Sequence, residues 1–348
     1  MPPRINLYSD TQTRPTPAMR EAIARAEVGD EQLFADPTVN ALCERLADLL
    51  GMEAAVFLPT GTMCNAIAMQ LHVRRGGDAV YLHRMAHPLR YEAGGPAALS
   101  GAVLEPLDGD GGMFTADALR AMLPVPGDRY APRARLVSIE QTTNVTGGRI
   151  WPLDQVREVL GVAGDAGMRA HLDGARLMNA VVASGVPAAE WCRGFDTAWI
   201  DFTKGLGAPV GACLAGSRET IDEAWRHKQM MGGAMRQAGI VAAGALHALD
   251  HHIDRLAEDH SNARVLAEGL ASLDGVTLDP AQVETNIVIF QVADAAGFVA
   301  AMAEAGVALS QFGPTTVRAV THLDVTREDV LEAVEAARGV LAGAGRNA

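Results

Sequence analysis

The stretch Thr197-Ala198-Trp199-Ile200-Asp201-Phe202-Thr203-Lys204-Gly205-Leu206-Gly207-Ala208-Pro209 decides the fold. Its first six residues form an apolar run of strand length, and a glycine-rich turn ends it. A lysine stands at the junction. Working outward, short apolar runs of this kind recur. Strands are expected at 54–58, 79–82, 102–104, 135–139, 169–172 and 197–202, with a short, antiparallel seventh at 212–215. Helical patterns such as 153–166 separate several of them. This alternation predicts an α/β fold with a mostly parallel sheet covered on both faces. After about residue 240 the pattern changes. One long helical region at 238–271, strands at 285–292 and 316–320, and helices at 296–305 and 327–341 read as a smaller α+β domain. The expected division is 1–245 for an N-terminal segment plus the large domain, and 246–348 for the small one. The Pro/Gly-rich 123–132 reads as a surface loop.

Composition narrows the class. A chain of 348 residues is too long for one small core. Net charge is −13 with no basic block, which excludes nucleic acid as a main partner. No apolar run reaches the ~20 residues of a membrane span. Met1-Pro2-Pro3-Arg4 lacks the apolar core of a secretory signal. Cys43, Cys64, Cys192 and Cys213 are scattered, which fits a reducing compartment and a cytoplasmic protein. Lysine and arginine total 29, yet only Lys204 and Lys228 are lysine. Where lysine is so scarce, a survivor marks a place where an amine is needed, because arginine cannot lose its proton. Chance survival on a solvated face is the alternative.

Three segments carry candidate chemistry. In Thr60-Gly61-Thr62-Met63-Cys64-Asn65 a strand ends and a helix begins, so free N–H groups there can cradle a phosphate. Thr62 can alternatively be a plain helix cap. In His171-Leu172-Asp173-Gly174-Ala175-Arg176 a strand end presents a carboxylate able to hold a pyridinium nitrogen and an arginine able to clamp a carboxylate. In Asp201–Pro209, Lys204 falls at the same crevice, where a desolvated amine can condense with an aldehyde. Together these are the parts of a pyridoxal 5'-phosphate (PLP) site. Lys228, in a helix of mixed charge, reads as a solvated or phosphate-neighbouring cation. His83 and His87 have i, i+4 spacing, but no Glu or Cys set accompanies them, so no metal is expected. His87 reads as a ring-stacking partner or acid/base, and His83 as structural.

As a set, these motifs resemble the low-specificity L-threonine aldolase family of fold type I PLP enzymes, within the beta-eliminating lyases. The resembling segments include Leu7-Tyr8-Ser9-Asp10-Thr11, Asp36-Pro37-Thr38-Val39-Asn40, the 60–65 loop, and Ala86-His87 with Tyr91-Glu92-Ala93-Gly94-Gly95. They continue through Asp173–Arg176, Thr203-Lys204-Gly205-Leu206-Gly207, Gly232-Gly233-Ala234-Met235-Arg236-Gln237 and Arg318-Ala319-Val320-Thr321-His322. The resemblance implies that Lys204 bonds the cofactor aldehyde, Asp173 pairs the pyridinium nitrogen and His87 stacks on the ring as a candidate base. Gly61 and Thr62 match the phosphate loop, with Thr203 beside the lysine. Ser9, Arg176 and Arg318 match the groups that take the substrate carboxylate. Arg236 matches an arginine that reaches the cofactor region from a neighbouring subunit. Members are typically homotetramers, dimers of dimers with shared active sites.

The implied reaction is retro-aldol cleavage of L-threonine, L-allo-threonine or a related β-hydroxy-α-amino acid to glycine and an aldehyde. The chain departs from the family pattern where the side chain would be read. Tyr8 replaces an arginine, and Thr143 replaces a histidine expected near the substrate. A threonine hydroxyl is too weak a base near neutral pH, so His87 or a water must serve. Loss of that histidine also suits bulkier, phenylserine-like substrates. β-Elimination or dehydration with the same cofactor is the rival chemistry, and a PLP-binding protein without turnover is the rival class.

Overall fold

The computed structural model describes residues 3–73 and 76–344. Met1 and Pro2, which open the stretch read for a secretory signal, lie outside them. A seven-stranded sheet forms the centre, in the order Ala54–Leu58, Ala212–Gly216, Thr197–Asp201, Arg169–Gly174, Ala134–Glu140, Ala79–His83, Val103–Leu107. Only Ala212–Gly216 runs antiparallel to its neighbours. Every residue of Ala79–His83, Thr197–Asp201 and Ala212–Gly216 is buried, as strands covered on both faces must be. All seven expected strands are present, each within a residue or two of its expected bounds at most edges.

The helical region expected over 238–271 is two helices, Gly239–His251 and Leu256–Ala271. The break has a local cause. His252 hooks its Nδ1 onto the Leu206 carbonyl at 2.7 Å, and Leu256 packs so closely on Gly205 that a Cβ there would lie 2.8 Å from it. The break thus seats the turn that follows Lys204. Gly207 in that turn has φ +75°, and its N–H bonds the Lys204 carbonyl at 2.9 Å, a conformation other residues rarely adopt.

A second apolar cluster builds on a three-stranded antiparallel sheet, Ser310–Gln311, Thr316–Val320 and Ile287–Gln291. Helices Leu256–Ala271, Ala295–Glu304 and Arg327–Ala344 cover it. Ile5 and Leu7 are buried in this cluster, because Ile5–Asn6 pairs in parallel with Val307–Ala308. This pairing carries Tyr8, Ser9 and Asp10 to the carboxyl edge of the large sheet.

Candidate active site

At that edge lies one open cavity of about 790 Å³. Open α/β sheets bind ligands outside the carboxyl ends of their strands, and here three strand ends converge. Lys204 follows Thr197–Asp201, and its amine pairs with the Asp201 carboxylate. The other Asp201 oxygen accepts from the Thr203 N–H at 2.8 Å and its hydroxyl at 2.7 Å, so Thr203 braces the lysine's partner. Asp173, on Arg169–Gly174, is 1% exposed. It accepts from the Ala175 N–H at 3.1 Å and the Asn65 amide at 2.9 Å.

The helix Gly61–His72 points its N-terminus at this cavity. Its cap is Thr60, whose hydroxyl accepts from the Met63 N–H at 3.1 Å. Thr62 is therefore not the cap and lines the cavity instead. Gly61 is required for a reason invisible in the sequence: a Cβ there would lie 2.2 Å from the Trp199 ring. His87 opens a short helix, with its N–H on Glu140 at 2.8 Å and its ring Nδ1 on Glu92 at 2.9 Å. Burial works against a charged His87 ring, but the carboxylates of Glu92, Asp173 and Glu140 outweigh it and hold His87 above its ordinary range. Burial and the neighbouring Asp173 charge push Glu140 up to about 7.

The two arginines differ. Arg176 Nε and Nη2 both bond Asp10, at 2.7 and 2.6 Å, with both side chains almost fully buried. Burial pushes Asp10 up, but the Arg176 guanidinium outweighs it and holds the carboxyl well below its usual range. Only Arg176 Nη1 is left, 3.3 Å from the Asn144 Oδ1. Arg318 makes no ion pair among the described residues. Its Nη1 donates to the same Asn144 oxygen at 2.9 Å, its Nε is buried without a partner, and Phe312 packs on it at 4.3 Å. Burial first, and then the Arg176 charge, pull Arg318 down to about 10. The charge free to meet a substrate carboxylate is thus on Arg318, while Arg176 is largely neutralised. Ser9 stands beside them, its oxygen accepting from the Thr11 N–H at 3.2 Å.

Two expected site residues lie elsewhere. Thr143 faces a separate cavity of only about 10 Å³, and its hydroxyl accepts from the Arg149 N–H at 3.1 Å. The residue before it, Thr142, lines the main cavity with a buried hydroxyl that lacks a partner. Arg236 is exposed and paired with Asp30 at 2.8 Å, outside the cavity of its own chain. His83 uses both ring nitrogens locally, on the Gly109 carbonyl and the Met85 N–H, each at 3.1 Å. Lys228 overturns its expected solvated position, because it is fully buried against Glu31. Asp10, Asn65, Glu92, Glu140 and Asn144 were given no role from the sequence. An amide on the buried side of the apolar helix 61–72 was the one available signal for Asn65.

A lysine and an aspartate at adjacent strand ends, facing a helix N-terminus, define an α/β enzyme of PLP fold type I. The chain matches the beta-eliminating lyase family over residues 6–294. It is 40% identical to the low specificity L-threonine aldolase of Escherichia coli K12 over 340 residues, 97% of this chain and 99% of the relative. It is 37% identical to low-specificity L-threonine aldolase 1 of Arabidopsis thaliana over 333 residues, 94% of this chain and 93% of that one. The threonine aldolase of Leishmania major shares the fold, with a TM-score of 0.83 at 19% identity over 97% of this chain and 99% of that chain. The chain belongs to the low-specificity L-threonine aldolase family of beta-eliminating lyases. That family implies PLP, and the donor set fits it: an amine, a buried carboxylate held by donors, and a helix start whose first N–H groups have no intrahelical partner.

Proposed function

We propose that this chain is a PLP-dependent aldehyde-lyase that cleaves L-threonine, L-allo-threonine or a related β-hydroxy-α-amino acid to glycine and an aldehyde. The observation that carries this reading is the convergence of Lys204, Asp173 and the unneutralised Arg318 on one cavity. Lys204 would hold the cofactor's aldehyde carbon, Asp173 its ring nitrogen, His87 its ring face, and the N–H groups of Gly61 and Thr62 its phosphate. Bound there, PLP supplies the electron sink for the pair released from the Cα–Cβ bond.

The chain's own residues do the rest. Arg318 binds the substrate carboxylate, with Ser9 and the remaining Arg176 N–H beside it, and so sets which Cα bond stands perpendicular to the ring. Glu92 accepts a hydrogen bond from the Nδ1–H of His87, which leaves Nε2 of the neutral ring as the acceptor for the β-hydroxyl proton. Tyr8, Tyr91 and Phe312 line the cavity with rings at least one-third exposed, a wall that suits an aryl side chain.

Assembly with further copies, as a homotetramer, would bring Arg236 to a neighbouring site and cover the exposed Leu33, Phe34, Met230 and Ile240. No helix among the described residues is long and apolar enough to cross a membrane, and the four free cysteines fit the cytoplasm.

The test is product analysis of the purified, PLP-loaded protein with L-threonine, L-allo-threonine and phenylserine. Glycine and aldehyde in equal amounts are expected. Keto acid and ammonia without glycine would make it an eliminating enzyme, and bound PLP without turnover a binding protein.

A further inference from the structure

Asn65 has no exposed surface and does not line the cavity, yet it touches both carboxylates beneath it. The Trp199 indole N–H lies 2.8 Å from its Oδ1. An indole nitrogen can only donate, so the amide oxygen faces Trp199 and the amide nitrogen must face the other way. There it donates to Glu92 Oε1 at 2.7 Å and to Asp173 Oδ2 at 2.9 Å.

This orientation settles the next links. His171 Nε2 lies 3.0 Å from the same Asn65 oxygen, so it carries the proton. Burial holds the His171 ring neutral, with its pKa down to about 3. Its Nδ1 must therefore accept, and the Thr197 hydroxyl donates to it at 2.8 Å. That hydroxyl oxygen accepts in turn from His72 Nε2 at 3.0 Å. Every bond from His72 to the carboxylates points its hydrogen the same way. The chain ends by offering two amide hydrogens to two buried acids that would otherwise repel each other.

We propose that Asn65 is a positioning residue whose amide hydrogens, aimed by Trp199 and His171, hold the carboxylates of Asp173 and Glu92 in register beneath the ring nitrogen and His87. This rests on the PLP reading above. The titratable groups facing Asn65 are Asp173, Glu92 and His171, with His87 one contact further and Glu140 beyond it.

The test is Asn65→Asp in the full-length protein. The variant keeps the shape and the acceptor for Trp199 and His171, but it can donate only while its acid is protonated. Burial between two carboxylates raises the pKa of such an acid toward neutral. PLP-loaded wild type and variant are passed through gel filtration between pH 6 and 9, and the retained visible absorbance is read beside kcat/KM. The variant-to-wild-type ratio of both should fall as pH rises, by about tenfold per unit above the new acid's pKa. A ratio that is flat with pH would mean that Asn65 only fills space, and would overturn the proposal.

His171→Phe removes one aiming donor without adding an acid, and it covers the case in which Asn65→Asp does not fold. It should weaken PLP retention several-fold and leave KM for the amino acid unchanged. Retention equal to wild type would likewise overturn the proposal. Wild-type protein that retains no PLP would sink the underlying reading as well, whereas wild-type retention with a flat ratio sinks the role of Asn65 alone.

Discussion

Lys228→Met should be among the most destabilising single changes outside the cavity. The Lys228 amine lies 2.8 and 2.9 Å from the two Glu31 oxygens, and both side chains are 0% exposed. The Trp225 ring packs 4.2 Å from the amine, and Glu31 also accepts the Met235 N–H. Burial lowers the Lys228 pKa, and Glu31 offsets part of that. Removing one partner of a buried pair leaves the other as an uncompensated charge, at a cost of ~3–5 kcal/mol. Specific unfolding entropy gives roughly 0.7 kcal/mol/K for a chain of this length, so Tm should fall by about 4–7 °C. Adding Glu31→Gln removes the stranded charge and keeps an acceptor for Met235. The double variant should therefore recover roughly half of the loss. Calorimetry and urea unfolding of wild type, Lys228→Met, Glu31→Gln and the double variant measure this directly. A Lys228→Met protein within ~1 kcal/mol of wild type would refute the claim that this pair is dry and matched.

Three further outcomes follow from the cavity. Arg318→Ala should raise KM for the amino acid by about 30–150-fold, the loss of a charge-assisted contact worth ~2–3 kcal/mol, with PLP still retained; steady-state kinetics and absorbance check it. Because His87 is held above its ordinary 6.5 and must be neutral to accept a proton, kcat/KM should rise with pH through a midpoint above 6.5. Glu92→Gln should bring that midpoint down in a pH–rate profile. Asp10 is held below its unfolded value of 3.8, so its contribution is complete above that pH and is lost as pH falls toward the folded value. Asp10→Asn should flatten the acid limb of stability in unfolding curves taken from about pH 5 down to about pH 2.

Much of this was legible in the sequence because strand ends are. Apolar runs of period and length proper to buried strands placed Asp173, Lys204 and the helix start at one edge, and topology then forced them together. What stayed hidden depends on contacts between distant segments. Pairing of Ile5–Asn6 with Val307–Ala308 spans too few residues to leave a periodic trace, yet it delivers Asp10 to Arg176. The sequence offered two arginines as equal carboxylate clamps, and only the position of Asp10 distinguishes them. From the sequence Thr62 can be the helix cap, whereas the extended backbone at Thr60 and its hydroxyl on the Met63 N–H make Thr60 the cap. Thr143, expected near the substrate from the resemblance, instead turns its hydroxyl to Arg149 and lines the small separate cavity.

The two lysines close on a common reason. Scarcity alone cannot say why a lysine persists among so many arginines, and the first expectation separated a chemical lysine from an incidental one. On the proposed function, Lys204 persists because an amine that can lose a proton is needed at the strand end. Lys228 persists for a different property of the same group. Its compact ammonium fits between Glu31 and the face of Trp225 with no exposed surface. A planar guanidinium is wider and needs more donors satisfied, so it would have to displace the ring or leave N–H groups unpaired in a dry interior. Both positions therefore resist replacement by arginine, one through reactivity and one through size. In a chain with this bias, lysine marks sites where the two cations are physically unequal, whether or not those sites touch substrate.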